Sequence, residues 1–433
     1  MKKVLLIAFS YKKNAIGSVR LNGLAKYLPE YGWEPTILTV KIDKDSDPNQ
    51  RIIETEYQDL LEKWKKKLKF KKNQPIKSQL SDGGVKKNTN TVDFFLKLWM
   101  DIFAYPDLEK NWYKPAMRAG RNLLNNENFD AIISSSKPVT SHLIANDLKK
   151  EYEIPFIADM RDLWTQNHFY SFSRVRKFFD ARLEKKVLNN ADAIITVSEA
   201  LKNKLAMNFP RDNIHVVTNG FDPDQTSLTF EPANKFTVTF TGTIYPERND
   251  TETLFKALNE LIKEGTIYTD DFELNFYGKH MNDMIGESVK NHDLGSVVNI
   301  NGLIPRNKAI KKQRSSQLLL LFDWTECEEK GIYTGKIFEY LAAQRPILAV
   351  GPCKDVVSQL LIETRAGMHL STTDEIKDQI KTYYQEYKTN GKVEYIGLAG
   401  EIEKYSQKGM ARKFANVLET TTTHKTRKNQ PKF

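Results

Sequence analysis

The chain has 433 residues, 40% of them hydrophobic and including 23 Phe, 18 Tyr and 6 Trp, which is ample material for packed cores and too long for one. Apolar runs such as Val4 to Phe9 and Leu318 to Phe322 fall far short of the roughly 20 residues a membrane span needs, and the start MKKVLLIAFSYKK has no small-residue cleavage site, so a cytoplasmic protein is expected. The net charge of +10 sits in appendages: ten Lys against two acids between Glu62 and Lys87 give +8, and the tail from His424 gives +4, so the remaining chain is near −2 and does not read as a nucleic-acid binder.

In chain order, VLLIAF (Val4 to Phe9) is a continuous apolar run, followed by a Gly-containing loop, an amphipathic helix from Leu21 to Tyr31 closed by Gly32, and a second run, PTILTV. An insertion follows. From Gln50 to Lys72, Ile53, Tyr57, Leu60, Leu61, Trp64 and Leu68 fall on one helical face while the other face is Lys-rich; SDGGVKKNTNT then reads as a connector and FFLKLWMDIF as a second amphipathic stretch. Two readings of the insertion stand side by side, an interfacial helix on anionic lipid and a solvated helix docked on its own domain.

The runs DAIISSS, PFIADM, DAIITVS and IHVVTNG come next, mostly separated by helical stretches. After FDPDQTSLTFEPANK the pattern restarts with FTVTFTG and continues through FELNFYG, VVNING, QLLLLF and RPILAVG. Strands without polar alternation, spaced by helices, imply parallel sheets covered on both faces. The expected fold class is α/β, with two doubly wound Rossmann-like domains facing a cleft. The expected domains are 1–222, with a basic amphipathic insertion at 44–104, then 223–420, then a basic tail at 421–433. The last helical stretch, Tyr395 to Leu418, is expected to cross back to the first domain, and residues after Thr420 to be disordered. Cys327 and Cys353, without metal-ligand or CxxC spacing, are expected to be ordinary packing residues in a reducing compartment.

Chemistry concentrates at residues 333 to 352, YTGKIFEYLAAQRPILAVGP. A helix beginning near Thr334 and Gly335 directs unsatisfied backbone N–H groups and its positive dipole end outward, an arrangement suited to a phosphate, and Gly335 permits close approach. Lys336 adds a point charge, and Glu339, one turn further in, suits a vicinal diol such as a ribose. From spacing alone, a surface helix with an exposed Lys and a partly exposed Glu is the stronger reading. In PFIADMRDLW, the cluster Asp159, Arg161, Asp162 and Trp164 at a strand end reads either as a site or as an ion pair ordering its loop. Asp323, ending the run QLLLLF, has the same two readings, substrate contact or capping of its turn.

The stretch GKIFEYLAAQRPILA resembles the nucleotide-sugar motif of retaining glycosyltransferases of the GT-B fold, in the large fourth family, and most of the chain follows a capsular and surface-polysaccharide subgroup of it. The resemblance implies that Glu339 holds the nucleotide ribose and that Thr334, Gly335 and Lys336 meet the diphosphate. In YKKNAIGSVRLNGLAKYLPEYGWEPTILT it makes Gly17 a diphosphate-facing backbone position with Arg20 a nearby positive charge. It implies catalytic roles for Arg161 and Asp162, an acceptor-facing position for Ser134 to Ser136, and donor contacts at Gly242 and Arg248. NFYGK, with Gly278, and NINGLIPRN, with Ile304, resemble the walls of the base pocket. The chain departs from the family in having Gly331 in place of a sugar-binding glutamate, Thr243 in place of a cation, and Asn249 after Arg248.

The implied activity is retaining transfer of a hexosyl or N-acetylhexosaminyl group from a nucleoside-diphosphate sugar to an acceptor hydroxyl. No metal and no cofactor beyond the donor substrate is expected. The expected partners are the donor, a lipid-linked glycan acceptor and an anionic membrane surface, with the protein peripheral on the inner leaflet and no nucleic acid bound. Two rivals are an NDP-sugar epimerase and a degenerate, non-catalytic membrane-associated partner protein.

Overall fold

The computed structural model describes residues 1–11, 16–41, 49–59, 101–167, 170–227, 230–245, 248–325, 327 and 331–428. The chain forms two compact units, Met1–Thr218 together with Ala411–Phe433, and Asn219–Met410.

The first unit is built on a parallel seven-stranded sheet of β1 (Lys2–Ile7), β2 (Trp33–Val40), β3 (Arg51–Thr55), β4 (Ala131–Ser135), β5 (Phe156–Met160), β6 (Ala193–Thr196) and β7 (Ile214–Val216). Its order is β3-β2-β1-β4-β5-β6-β7, so the winding reverses between β1 and β4. Among the described residues its helices include α1 (Val19–Tyr27), α2 (Tyr113–Asn126), α3 (Thr140–Tyr152), α4 (Arg174–Leu188) and α5 (Glu199–Ala206). Leu5, Ile7, Ile132, Phe156 and Ile194 share one core, while the alternate residues Val4, Leu6, Ile133, Ile157 and Ile195 are equally buried. Burial of both faces is why these strands read as unbroken apolar runs.

β3 overturns one expectation. Arg51–Thr55 is an edge strand paired in parallel with β2, with Ile52 opposite Ile37 and Ile53 opposite Leu38, and not the start of a helix. The β-branched RIIET favours a pleated edge, and Ile53 and Tyr57 reach the core without helical periodicity. The rest of the insertion, including Leu60, Leu61, Trp64 and Leu68, lies outside the described residues.

The second unit has a parallel six-stranded sheet of β8 (Phe236–Thr241), β9 (Phe272–Tyr277), β10 (Val298–Asn301), β11 (Leu318–Phe322), β12 (Ile347–Val350) and β13 (Gly367–Leu370), ordered β10-β9-β8-β11-β12-β13. Its helices are α6 (Glu252–Lys263), α7 (Met281–Asn291), α8 (Arg306–Ser315), α9 (Gly335–Ala343), α10 (Val356–Thr364), α11 (Thr373–Asn390) and α12 (Ala399–Glu403). Phe236, Phe240, Leu318 and Leu320 pack on one sheet face with α6, α7 and α11; Leu319, Leu321, Ile347 and Ala349 pack on the other with α9 and α10. Winding reverses between β8 and β11, which places the β8 and β11 loops where open α/β sheets take ligands.

The last helix, α13 (Gln407–Lys428), continues past Thr420, where the sequence suggests disorder. Thr420, Thr421, Thr422 and Thr423 each return a hydroxyl to the carbonyl four residues earlier, which satisfies these polar side chains within the helix. Residues 429–433 lie outside the described residues.

The cysteines correct another expectation: Cys327 and Cys353 form a disulfide, with Cα atoms 5.2 Å apart. They follow β11 and β12, neighbouring strands whose loops meet, although 26 residues separate them in sequence. Cysteine content therefore carries no argument for a reducing compartment.

Candidate functional site

In the second unit, α9 is fastened to the end of β8. The buried Tyr340 hydroxyl accepts the amide of Thr241 at 3.1 Å, and Gln313 of α8 donates to the Thr241 hydroxyl at 2.8 Å. Gly242 follows with φ +125°, and a Cβ there would stand 2.3 Å from Cε of Lys336. The lysine therefore runs across the glycine, donating to the Thr243 carbonyl at 3.1 Å with its ammonium 4.3 Å from the Phe240 ring centroid. Loss of solvent holds the Lys336 pKa down to about 8, against a smaller upward pull from Glu339. Gly278 has a packing role, because a Cβ there would meet the Gly242 carbonyl oxygen at 2.0 Å.

The N-terminus of α9 is open. Thr334 is its N-cap residue in extended backbone, yet its side chain caps nothing, and its hydroxyl oxygen is buried without a hydrogen-bond partner. Gly335 is exposed, with nothing within 4 Å of where a Cβ would lie. The amides of Gly335 and Lys336 meet no acceptor among the described residues, as first-turn amides lack intrahelical partners.

One turn along, Glu339 is held by a residue that sequence reasoning misses. Arg306, the first residue of α8, places a guanidinium nitrogen 2.8 Å from the Glu339 carboxylate, while its own Nε is buried without a partner. Nothing local signals this pairing, because α8 and α9 meet only through the fold. Ile304 is half-buried in the loop two residues before Arg306.

Arg248 lies 5.0 Å from the centroid of Trp324, which also stacks on Tyr245 with centroids 6.2 Å apart. Thr325 donates to the Arg248 carbonyl at 3.0 Å, so the β8 and β11 loops are clamped together. Asn249 fastens its own loop, since its side-chain oxygen accepts the Tyr245 amide at 2.9 Å and its nitrogen donates to the Asp323 carbonyl at 3.3 Å. Asp323 is buried; one carboxylate oxygen accepts the Trp324 amide at 2.9 Å and the other lies 3.2 Å from His369, a partner the sequence does not reveal.

In the first unit, Arg20 stands in the first turn of α1 and is buried. It reaches both carboxylate oxygens of Asp159 at 2.8 to 3.2 Å, the Thr218 carbonyl at 2.9 Å and the face of Phe414 at 4.9 Å. It thereby ties α1 to the end of β5. Ser135 donates to the same carboxylate at 2.8 Å, and Ser134 lies 2.6 Å from Nδ1 of His142, whose pKa burial lowers to about 4. Ser134, Ser135 and Ser136 are all buried, which corrects the expectation that they face an acceptor. They complete the polar network beneath the strand end, because buried hydroxyls and a buried carboxylate need partners.

Arg161 donates to the Ser136 carbonyl at 2.5 Å and to the Gly17 carbonyl, joining the loops after β1 and β4. Gly17 is exposed, with open space around it, and Asp162 is exposed beside Arg161. Nearby, Asp107 accepts the amide and hydroxyl of Thr140 at 2.8 and 2.7 Å at the start of α3. The Glu109 carboxyl, half-buried, is raised to about 7 first by burial and then by Asp107. Among the described residues, no group of three or more His, Cys, Asp or Glu side chains is placed to hold a metal ion.

The Glycosyltransferase Family 4 model matches residues 100–225. No curated protein matches the chain. Anabaena HepE, crystallised with UDP and glucose, is 14% identical with a TM-score of 0.60, over 97% of this chain and 100% of that one. Sucrose-phosphate synthase from Thermosynechococcus elongatus is 13% identical with a TM-score of 0.59, over 98% and 100%. A Listeria monocytogenes protein provisionally described as a UDP-N-acetylglucosamine 2-epimerase is 14% identical with a TM-score of 0.50, over 100% and 99%. At such identities the likeness is one of fold: two Rossmann-like domains of the GT-B type.

Proposed function

We propose that the protein is a glycosyltransferase that moves a sugar from a nucleoside-diphosphate sugar to an acceptor hydroxyl, retaining configuration at the anomeric carbon. The observation that carries this reading is the open α9 N-terminus, where uncapped amides at Gly335 and Lys336 begin a helix whose first turn carries the Lys336 side chain and, one turn on, Glu339. Backbone amides and a cation fixed before the reaction stabilise a diphosphate more as it departs than while it is esterified, because negative charge grows on it as the glycosidic bond breaks. The family match and the UDP bound to HepE support the donor class.

In this reading Gly17, Arg248 and Lys336 face the diphosphate and Glu339 the ribose. Ile304 and Gly278 belong to the base pocket, and Arg161 and Asp162 lie near the reacting sugar. Arg20 positions α1 through Asp159. The leaving diphosphate is stabilised by main-chain amides and side-chain cations, with no metal required. The acceptor is a lipid-linked glycan in surface-polysaccharide synthesis at the inner membrane leaflet. The proposed contact with lipid is peripheral; no helix among the described residues is long and apolar enough to cross a membrane.

The test is a thermal-shift screen of UDP-, GDP- and CMP-sugars, followed by measurement of nucleotide release with and without a lipid-linked acceptor. A stabilising donor together with acceptor-dependent release is expected. Silence across the panel would refute the reading and favour a non-catalytic partner. The likeness to the Listeria protein keeps an epimerase as the rival, distinguished by formation of free epimerised sugar without acceptor.

A further inference from the structure

α4 buries Val187 and Leu188 in the core at its C-terminal end, but over its first three turns it is inverted relative to an ordinary surface helix. Its inward face carries ions: Arg176 pairs with Asp180 at 2.9 Å, Asp180 accepts the Tyr170 hydroxyl at 2.7 Å, and Glu184 accepts from Thr165. Its outward face carries Val175, Phe178 and Phe179, which are 69%, 65% and 51% exposed. At 100° per residue these three fall within the same arc as Arg182, Lys185 and Lys186, all exposed. The helix has two acidic residues, Asp180 and Glu184, and both are buried, so its outward charge is entirely positive.

On the buried side, Arg176 donates to the carbonyls of Asp101 and Ala104 at 3.0 and 3.1 Å, which fastens residues 101–104 to the start of α4. Large apolar side chains left in water on one arc forgo the free energy of burial, so the patch marks a surface that meets something.

We propose that this face of α4 docks on the anionic headgroup layer of a lipid bilayer. Phenylalanines enter the boundary between headgroups and acyl chains, while interspersed lysines and arginines meet lipid phosphates, the combination that holds an interfacial helix. Charge argues against a second copy as the occupant, because pairing the face with itself would bring its cations together. The surface deepens the membrane part of the proposed function and uses none of the nucleotide-facing residues, so it stands or falls independently of the donor assignment.

The experiment is flotation of the full chain with phosphatidylcholine vesicles, with and without phosphatidylglycerol. Binding is expected only with the anionic lipid and to weaken with salt. It should fall on the order of a hundredfold in a Phe178→Glu, Phe179→Glu double variant and about tenfold in a Lys185→Glu, Lys186→Glu variant. Because these side chains are exposed, the thermal midpoint and nucleotide binding should be unchanged, which separates lost docking from lost folding. A third variant, Lys65→Glu with Lys66→Glu and Lys67→Glu, tests the insertion. The proposal is overturned if no vesicles bind, if only the third variant loses binding, or if Phe178→Glu instead abolishes a concentration-dependent dimer.

Discussion

Lys336 offers the most direct test of the diphosphate site. Its pKa is lowered from 10.5 to about 8 because the ammonium has lost solvent beside Phe240 and Gly242, and Glu339 only partly offsets that loss. A bound diphosphate brings negative charge to the ammonium and raises its pKa, so binding above about pH 8 takes up a proton. If the charged lysine is the binding form, the donor Kd is nearly flat below about pH 7 and rises about tenfold between about pH 7 and about pH 9. Isothermal titration of a nucleotide sugar, whose phosphates do not titrate in that range, reads the slope directly. Lys336→Arg keeps a charge throughout and should remove the slope, which also subtracts any ionisation of the base. An equal slope in Lys336→Arg, or a flat wild-type profile, would refute the reasoning. Without ligand the sign is opposite for stability. Between about 8 and 10.5 the unfolded chain still binds this proton while the folded chain has released it, so this group's cost, fully present below about 8, is relieved as pH rises.

Glu339→Ala should weaken nucleotide binding about ten- to a hundredfold, since charge-assisted hydrogen bonds to a diol are worth roughly 1.5–3 kcal/mol. Arg306→Ala should raise the nucleotide Kd about three- to tenfold through disorder of Glu339, and the effect should vanish for 2′,3′-dideoxy nucleotides; an equal loss with both would assign Arg306 elsewhere. Its half-exposed ion pair should contribute under about 1 kcal/mol to stability. Gly220→Ala should lower the urea midpoint by the equivalent of about 1–3 kcal/mol. Its Cβ would stand 2.5 Å from the backbone carbon of Ser406, where Phe221 and Gln407 exchange a hydrogen bond of 2.7 Å, so neither side can give way.

Much of the architecture follows from local rules acting on the chain. Both faces of β4, β5, β8, β11 and β12 are buried; β11 (LLLLF) and β12 (ILAV) are apolar without alternation, β8 (FTVTFT) alternates with buried threonines, and the unbroken runs make the parallel α/β class legible. The α9 N-terminus is legible too, because Thr334, Gly335 and the apolar spacing of Ile337, Phe338 and Leu341 announce a helix start with an uncovered glycine. Short edge strands are less legible: five residues at Arg51–Thr55 match a helical period as readily as a pleat, and only pairing with β2 decides between them.

Partnerships across the chain belong to the tertiary structure alone. Adjacent strand ends bring Cys327 to Cys353, the packing of α8 beside α9 gives Glu339 to Arg306, and the return of β13 next to β12 supplies His369 to Asp323. Burial likewise decided that Arg20 and the serines at the end of β4 bind their own neighbours, since a buried charge or hydroxyl takes whatever partner the fold brings within reach. Sequence spacing encodes the period of an element and the groups at its ends. Which distant element stands opposite is set by how the sheets wind and pack.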